Sequence, residues 1–180
     1  MPGLDLVPFY APEGSGLIQR LGEELEPIFR VDVRRRPPWF DPESTYDASR
    51  GQYNSTRLLQ LLLDDSQPCE GAVLGVTGVD LFVPVLTFVY GEAQLGGRAA
   101  VVSLHRLRPE AYGLPPDPGL LAERLLKEAV HELGHVQGLI HCPDPTCVMR
   151  PSTYVEQIDG KGAEFCDACQ ELVRGHGRPA

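Results

Sequence analysis

The stretch HELGHVQGLIH, His131 to His141, constrains this chain more than any other feature, because it gathers three of the five histidines into eleven positions. His131 and His135 are four residues apart. On a helix such residues are neighbours on one face, so two imidazoles can reach one ion. Glu132 lies beside them, where a carboxylate can stay out of the coordination shell and still touch a water held by the ion. H-E-x-x-H on a helix is the zinc-hydrolase signature. The bare pentapeptide also turns up by chance in unrelated helices. Gly138 and His141 are what make it specific: glycine takes the left-handed conformation cheaply, ends the helix, and turns His141 back to the same ion. Three protein ligands leave one position open for water, which is the pattern of a catalytic zinc.

The spacing therefore demands a helix, and the residues before it supply one, from Leu120 to about Gly138. At about 100° per residue, Leu121, Ala122, Leu125, Leu126, Ala129, Val130, Leu133 and Val136 share a broad apolar arc. Arg124, Glu128, His131 and His135 fall on the opposite side. The expectation is a helix buried along its back that offers its imidazoles on a polar front.

The ligand chemistry changes at the next residue. Cys142 follows His141 at about 3.8 Å between Cα atoms, and outside a helix neighbouring side chains diverge, so the two are expected on different ions. Cys142-x4-Cys147 and Cys166-x2-Cys169 form two short pairs separated by a modest loop. Four thiolates would fill a tetrahedral zinc shell and leave no open position, so this second zinc is expected to be structural. The two ions should lie on the order of 10 Å apart by ligand reach. Two disulfides are the alternative, disfavoured if the chain stays in a reducing compartment. Cys69 is left over as a free thiol, and the lone His105 and His176 carry only the bland reading of surface or satisfied polar contacts.

The rest of the chain reads as an α/β (α+β) arrangement. LDLVPF (Leu4 to Phe9) is a strand. GSGLIQRLGEELEPIF is a helix with Ser15 as N-cap and Leu17, Leu21, Leu25 and Ile28 at helical spacing. FRVDVRR is a second strand, PPWFDPESTYDASRGQYNS a loop, and STRLLQLLLDD a helix closing near Asp65. GAVLGVTGVDLF, LTFVYGEAQ and RAAVVSLHRL are strands. After the main helix the chain is irregular until AEFCDACQELVRG, a short C-terminal helix, and the tail HGRPA is expected to fray. The order suggests a mixed sheet packed on helices. Residues 1–180 read as one domain, with a sheet and helix part at 1–118 and the metal-binding part at 119–180.

Charge excludes some partners. The formal net charge is −9, without the basic footprint of a nucleic-acid binder. The one basic cluster, RVDVRRR, is short and reads as a solvated strand edge. No apolar run approaches the ~18 residues that span a bilayer, and the start lacks a secretory signal. A cytoplasmic monomer is expected, with no nucleic-acid or membrane partner.

HELGHVQGLIHCPDPTCVM…CDAC resembles the archaemetzincins, a branch of the metzincin zinc peptidases. The likeness is close over His131 to Cys169, and DLFVPVLTFVYGEAQ and VVSLHRL upstream share it. Sixteen residues separate Met149 from Cys166, one fewer than the family pattern, which touches loop length and not the ligands. The resemblance implies a compact metzincin-like fold: a twisted mixed sheet, a backing helix and an active-site helix. It implies that Met149 forms the Met-turn beneath the catalytic zinc. It also implies an antiparallel edge strand, here TFVYGEA, on which a peptide could pair, with Tyr90 and Glu92 facing the cleft. The expected activity is hydrolysis of peptide or protein substrates by a zinc-activated water with Glu132 as general base. The rivals are a zinc-stabilised, non-catalytic binding or scaffold protein with a blocked site, against which the intact Glu132 argues, and hydrolysis of a small non-peptide amide.

Overall fold

Two alternations of apolar residues build the core. The structure, a computed structural model, describes residues 1–12, 14, 16–64 and 71–176. A five-stranded sheet runs in the order β2 (Val33–Arg35), β1 (Leu4–Phe9), β5 (Ala72–Thr77), β8 (Ala99–Ser103), β7 (Gly91–Ala93). All neighbours are parallel except β7, which pairs antiparallel to β8 and leaves its other edge free. Strand β5 is buried along its whole length, as a central parallel strand covered on both faces must be. Successive side chains alternate between faces. Leu4, Leu6, Leu74, Val76, Ala100 and Val102 pack toward α1 (Leu17–Phe29) and α3 (Pro118–Val136). Val7, Phe9, Val73, Ala99 and Val101 pack toward α2 (Ser55–Leu62) through Leu58, Leu59 and Leu62.

Most of the expected elements form, with shifted ends. The N-cap of α1 is Gly16 in the left-handed conformation, without a capping side chain; Ser15 lies outside the described residues, as do Asp65 and Cys69. Asn54 caps α2, its side chain accepting from the Arg57 amide, and the helix ends at Leu62. The segment expected as a loop before α2 holds a 3-10 turn, Pro42–Thr45, and two short strands, β3 (Tyr46–Asp47) and β4 (Gln52–Asn54). These join β6 (Leu81–Phe82) in a separate three-stranded sheet, so GAVLGVTGVDLF is broken between two sheets. Pairing with distant segments, invisible to local periodicity, makes these short strands.

Helix α3 starts at Pro118 behind Asp117, whose carboxylate accepts from the Leu120 amide at 2.9 Å. It ends at Val136, and Gly138 is left-handed with φ 87°. Its second face is not open. Arg124, Lys127, Glu128 and His131 are buried along with the apolar arc. Over Arg124 and Lys127 the cover is α4 (Val155–Gly160), a six-residue helix too short to announce itself by periodicity. Arg124 grips Asp159 on α4 with two hydrogen bonds of 2.7 and 2.6 Å and donates to the Leu107 carbonyl at 2.9 Å. Lys127 donates to the Asp159 carbonyl at 3.2 Å. A polar stripe on a buried helix survives only because each charge finds a partner. Helix α5 (Asp167–His176) closes the described chain; of the tail, residues 177–180 lie outside the described residues.

The basic cluster also changes meaning. Arg36 and Arg34 reach back to Asp5 on β1, at 3.0 and 3.3 Å, and Asp5 is 1% exposed. The cluster is the counter-charge of a buried carboxylate as well as a strand edge. Removing one partner of such a contact leaves a poorly solvated charge. Arg36→Met is expected to cost about 1–3 kcal/mol of unfolding free energy, read from urea denaturation; an unchanged midpoint would show that Arg34 alone satisfies Asp5.

Candidate functional site

The cleft at the end of α3 has a volume of 580 Å³ and runs between residues 86–93 on one side and Ile140, His141 and Pro151–Thr153 on the other. His131, Glu132 and His135 form its floor. The ligand atoms of His131, His135 and His141 all lie within 4.8 Å of one another. Ring centroids are 4.7 to 5.3 Å apart.

The hydrogen bonds of these rings say what the group can hold. His131 Nδ1 is 2.8 Å from the Val148 carbonyl and His135 Nδ1 is 2.7 Å from the Leu139 carbonyl. A carbonyl oxygen only accepts, so both Nδ1 atoms carry the proton. Burial drives the His131 pKa down to about 3, and the ring is neutral at ordinary pH. Its Nε2 therefore presents a bare lone pair 3.1 Å from Nε2 of His135. The two Nε2 atoms are thus close enough for one cation to lie against both. A carbonyl-anchored imidazole with a free Nε2 is also how metal-binding histidines are oriented. The residues fit a zinc ion. Burial likewise lowers the pKa of His141, the exposed member of the three.

Glu132 is a buried carboxylate of the site, as is Glu128. Burial, reinforced by Glu128 one turn earlier, pushes its pKa well above the usual carboxylate range, against the pull of Lys161. Gly91 on β7 makes room for it: a methyl group there would lie 2.7 Å from Glu132 Cγ and Oε1 and from the Val101 carbonyl. Gly134, inside HELGH, plays the same part underneath, where a methyl would come 2.4 Å from Met149 Sδ. Met149 is fully buried against the helix turn that joins His131 to His135. Neither glycine was singled out from the sequence, although a glycine in a strand interior often marks a close approach.

The four cysteines form the second group. Cys142 and Cys166 place their sulfurs 3.8 Å apart, as do Cys147 and Cys169, and all four lie within 4.8 Å of one another. All four are free thiols. Disulfide sulfurs sit at about 2.05 Å, whereas sulfurs at the corners of a tetrahedron around zinc, each bonded at about 2.3 Å, are about 3.8 Å apart. The backbone between the two groups is shared: the Val148 carbonyl holds His131, the Met149 carbonyl accepts from the Cys142 amide at 3.0 Å, and Cys147 precedes both.

The upper wall is the free-edged strand β7 with the segment before it. The strand proper is only Gly91–Ala93, shorter than LTFVYGEAQ. Tyr90 lines the cleft and is almost wholly buried. Glu92 lines the cleft as well, with its carboxylate held toward α2, where it accepts from Ser55 and from Thr56, the latter at 2.8 Å. His105 is exposed and away from the cleft.

Residues 42–175 match the model of peptidase family M54. An archaemetzincin of Methanocaldococcus jannaschii is 48% identical over 136 residues, covering 76% of this chain and 74% of that protein. One from Methanopyrus kandleri is 42% identical over 167 residues, 91% of this chain and 89% of that one. The crystal structure of the Methanopyrus kandleri archaemetzincin superposes with a TM-score of 0.85 at 40% identity, covering 97% of this chain and 94% of that one. That of Archaeoglobus fulgidus, complexed with malonate, gives 0.81 at 39% identity, covering 94% and 99%.

The seat of Glu132 is testable without touching a ligand. Gly91→Ala is expected to lower hydrolytic activity about 100-fold, since displacing a reacting group by an ångström costs that much, while zinc content measured by atomic absorption stays at the parent value. Unchanged turnover would mean that Glu132 is not held by this wall.

Proposed function

The chain belongs to peptidase family M54, the archaemetzincins, and is a zinc metallopeptidase acting on peptides or proteins; from that membership we propose that Glu132 is its general base and that it carries two zinc ions of different kinds. His131, His135 and His141 hold the catalytic zinc. Cys142, Cys147, Cys166 and Cys169 hold the structural one.

When bound to the three histidines, zinc supplies Lewis acidity, which polarises the scissile carbonyl and lowers the pKa of water toward ~7. The protein does the rest. The free edge of β7 offers unpaired backbone groups to an extended substrate, which fixes the peptide along the cleft. Glu132 takes a proton from the attacking water at its carboxylate and delivers it to the leaving amine nitrogen. Its burial suits both halves of that task. A carboxylate with a raised pKa is a stronger base than an exposed one and can hold the proton until the C–N bond breaks. The walls of the cleft shield the exchange from bulk water. Met149 acts from below as the Met-turn, filling the space under the histidine-bearing turn against Gly134.

The observation that carries this reading is the enclosed Glu132 beside two imidazoles whose free nitrogens converge. The four thiols of the cysteine cage complete a tetrahedral shell, and its role is to tie the segment after His141 to α5. Such a thiolate site persists in a reducing compartment, and the reading places the protein in the cytoplasm. No described helix is long and apolar enough to cross a membrane.

Glu132→Ala is expected to retain zinc at the histidines and to lose cleavage of a broad fluorogenic peptide library; cleavage at the parent rate would end the general-base assignment. Cys166→Ser is expected to lower the melting temperature more than it lowers zinc affinity at the histidines, the latter read by chelator competition. A parental melting temperature would remove the structural role of the cage.

A further inference from the structure

Behind the catalytic floor, a lysine is buried with only 1% of its side chain exposed. Lys161 follows α4, and its ammonium stands 2.9 Å from Glu128 Oε1 on α3, a residue that is also buried. The approach is an ion pair by distance and lies off the hydrogen-bond direction of that oxygen. The same ammonium donates to the Arg150 carbonyl at 3.2 Å. Arg150 directly follows Met149, and two residues before it is Val148, whose carbonyl orients His131. One cation thus touches both the helix that carries the ligands and the turn that aims the first of them.

We propose that Lys161 is a positioning residue of the peptidase reaction: by joining Glu128 on α3 to the Arg150 carbonyl, it sets the distance between the helix bearing Glu132 and the turn supporting His131.

Three features support this. Glu128 and Glu132 are one turn apart on the same face, and both are buried. Like charges at that spacing destabilise a helix, the more so away from water. Lys161 is the charge of opposite sign that acts on both. Second, stability alone does not call for the pair, since well-packed apolar residues replace buried ion pairs at little cost or with a gain. Third, the backbone of Lys161 is held independently of its side chain. Arg124 and Lys127 fasten Asp159, two residues earlier, to α3. The ammonium is therefore not what keeps α4 in place, and removing it acts on the site.

The inference rests on the reading of Glu132 given above, and the test separates the two. The full chain loaded with zinc is compared as Lys161→Met, Lys161→Arg and the double variant Lys161→Met/Glu128→Gln. Melting temperature, kcat and KM on a peptide cleaved by the parent, and zinc affinity at the histidines by chelator competition are measured for each. Partners that orient metal ligands are worth about 10–100-fold in affinity or activity. Lys161→Met is expected to lose kcat and histidine zinc affinity within that range, with KM changed less than about threefold. Lys161→Arg, which keeps the charge, is expected to recover part of both. The double variant, with no unpaired charge, is expected to recover the melting temperature but not kcat. Recovery of kcat together with the melting temperature would reduce the pair to a structural role and overturn the proposal, as would parental kcat in Lys161→Met. Zinc affinity is read again in a Glu132→Ala background, where the same loss is expected. That arm stands or falls without any contribution from Glu132.

Discussion

Two hydrogen bonds from imidazole to backbone carry the site. The Val148 and Leu139 carbonyls each claim an Nδ1 proton, and that claim leaves the opposite nitrogens of His131 and His135 bare and facing each other. The rings have no reason to converge otherwise. The two carbonyls come from different places. Leu139 follows the glycine that ends α3, so its carbonyl position depends on the left-handed turn at Gly138. Val148 comes from the turn between the two cysteines and Met149, so its position depends on how that turn is packed. The sheet, the buried apolar back of α3 and the short α4 all serve to keep these two oxygens at a fixed distance from one helix.

The turn at 147–149 is where the two metal groups become one construction. Cys147 contributes a sulfur to the cage, Val148 orients a histidine, and Met149 binds the Cys142 amide and fills the space below the helix. Disturbing the cage therefore shifts the carbonyl behind His131, and a chain of such short contacts is stiffer than either group alone. Charge reinforces the arrangement. Arg124, Lys127, Glu128 and Lys161 are all buried between α3 and α4, each facing an opposite charge or a carbonyl. In a medium of low dielectric a missing partner there would cost far more than a surface contact gains.

Close approach is the other requirement. Gly91 lets the edge strand come down onto Glu132, and Gly134 lets the methionine come up under the helix. Both lack a side chain where one would collide. The enclosure of Glu132 follows from the first of these absences as much as from the residues present.

Much of this was legible in the chain itself. The i, i+4 spacing of His131 and His135, the glycine before His141 and the paired cysteines follow from local geometry, because ligand spacing on a helix or in a short loop involves only near neighbours. The principal strands and helices were legible for the same reason, through periods of two and 3.6. What the sequence could not supply came from contacts between distant segments. Strands β3, β4 and β6 exist through pairing across the fold, and α4 is too short for a period to show. The polar face of α3 read as open, yet tertiary packing buried it, since its charges meet partners on a helix some 30 residues on. The roles of Gly91 and Lys161 likewise depend on what lies against them. The sequence determined which atoms could bind a metal and in what number. Only the tertiary structure decided which lone pairs converge, which carboxylate is shut away from water, and which cation answers it, because those depend on distances through space that no spacing along the chain encodes.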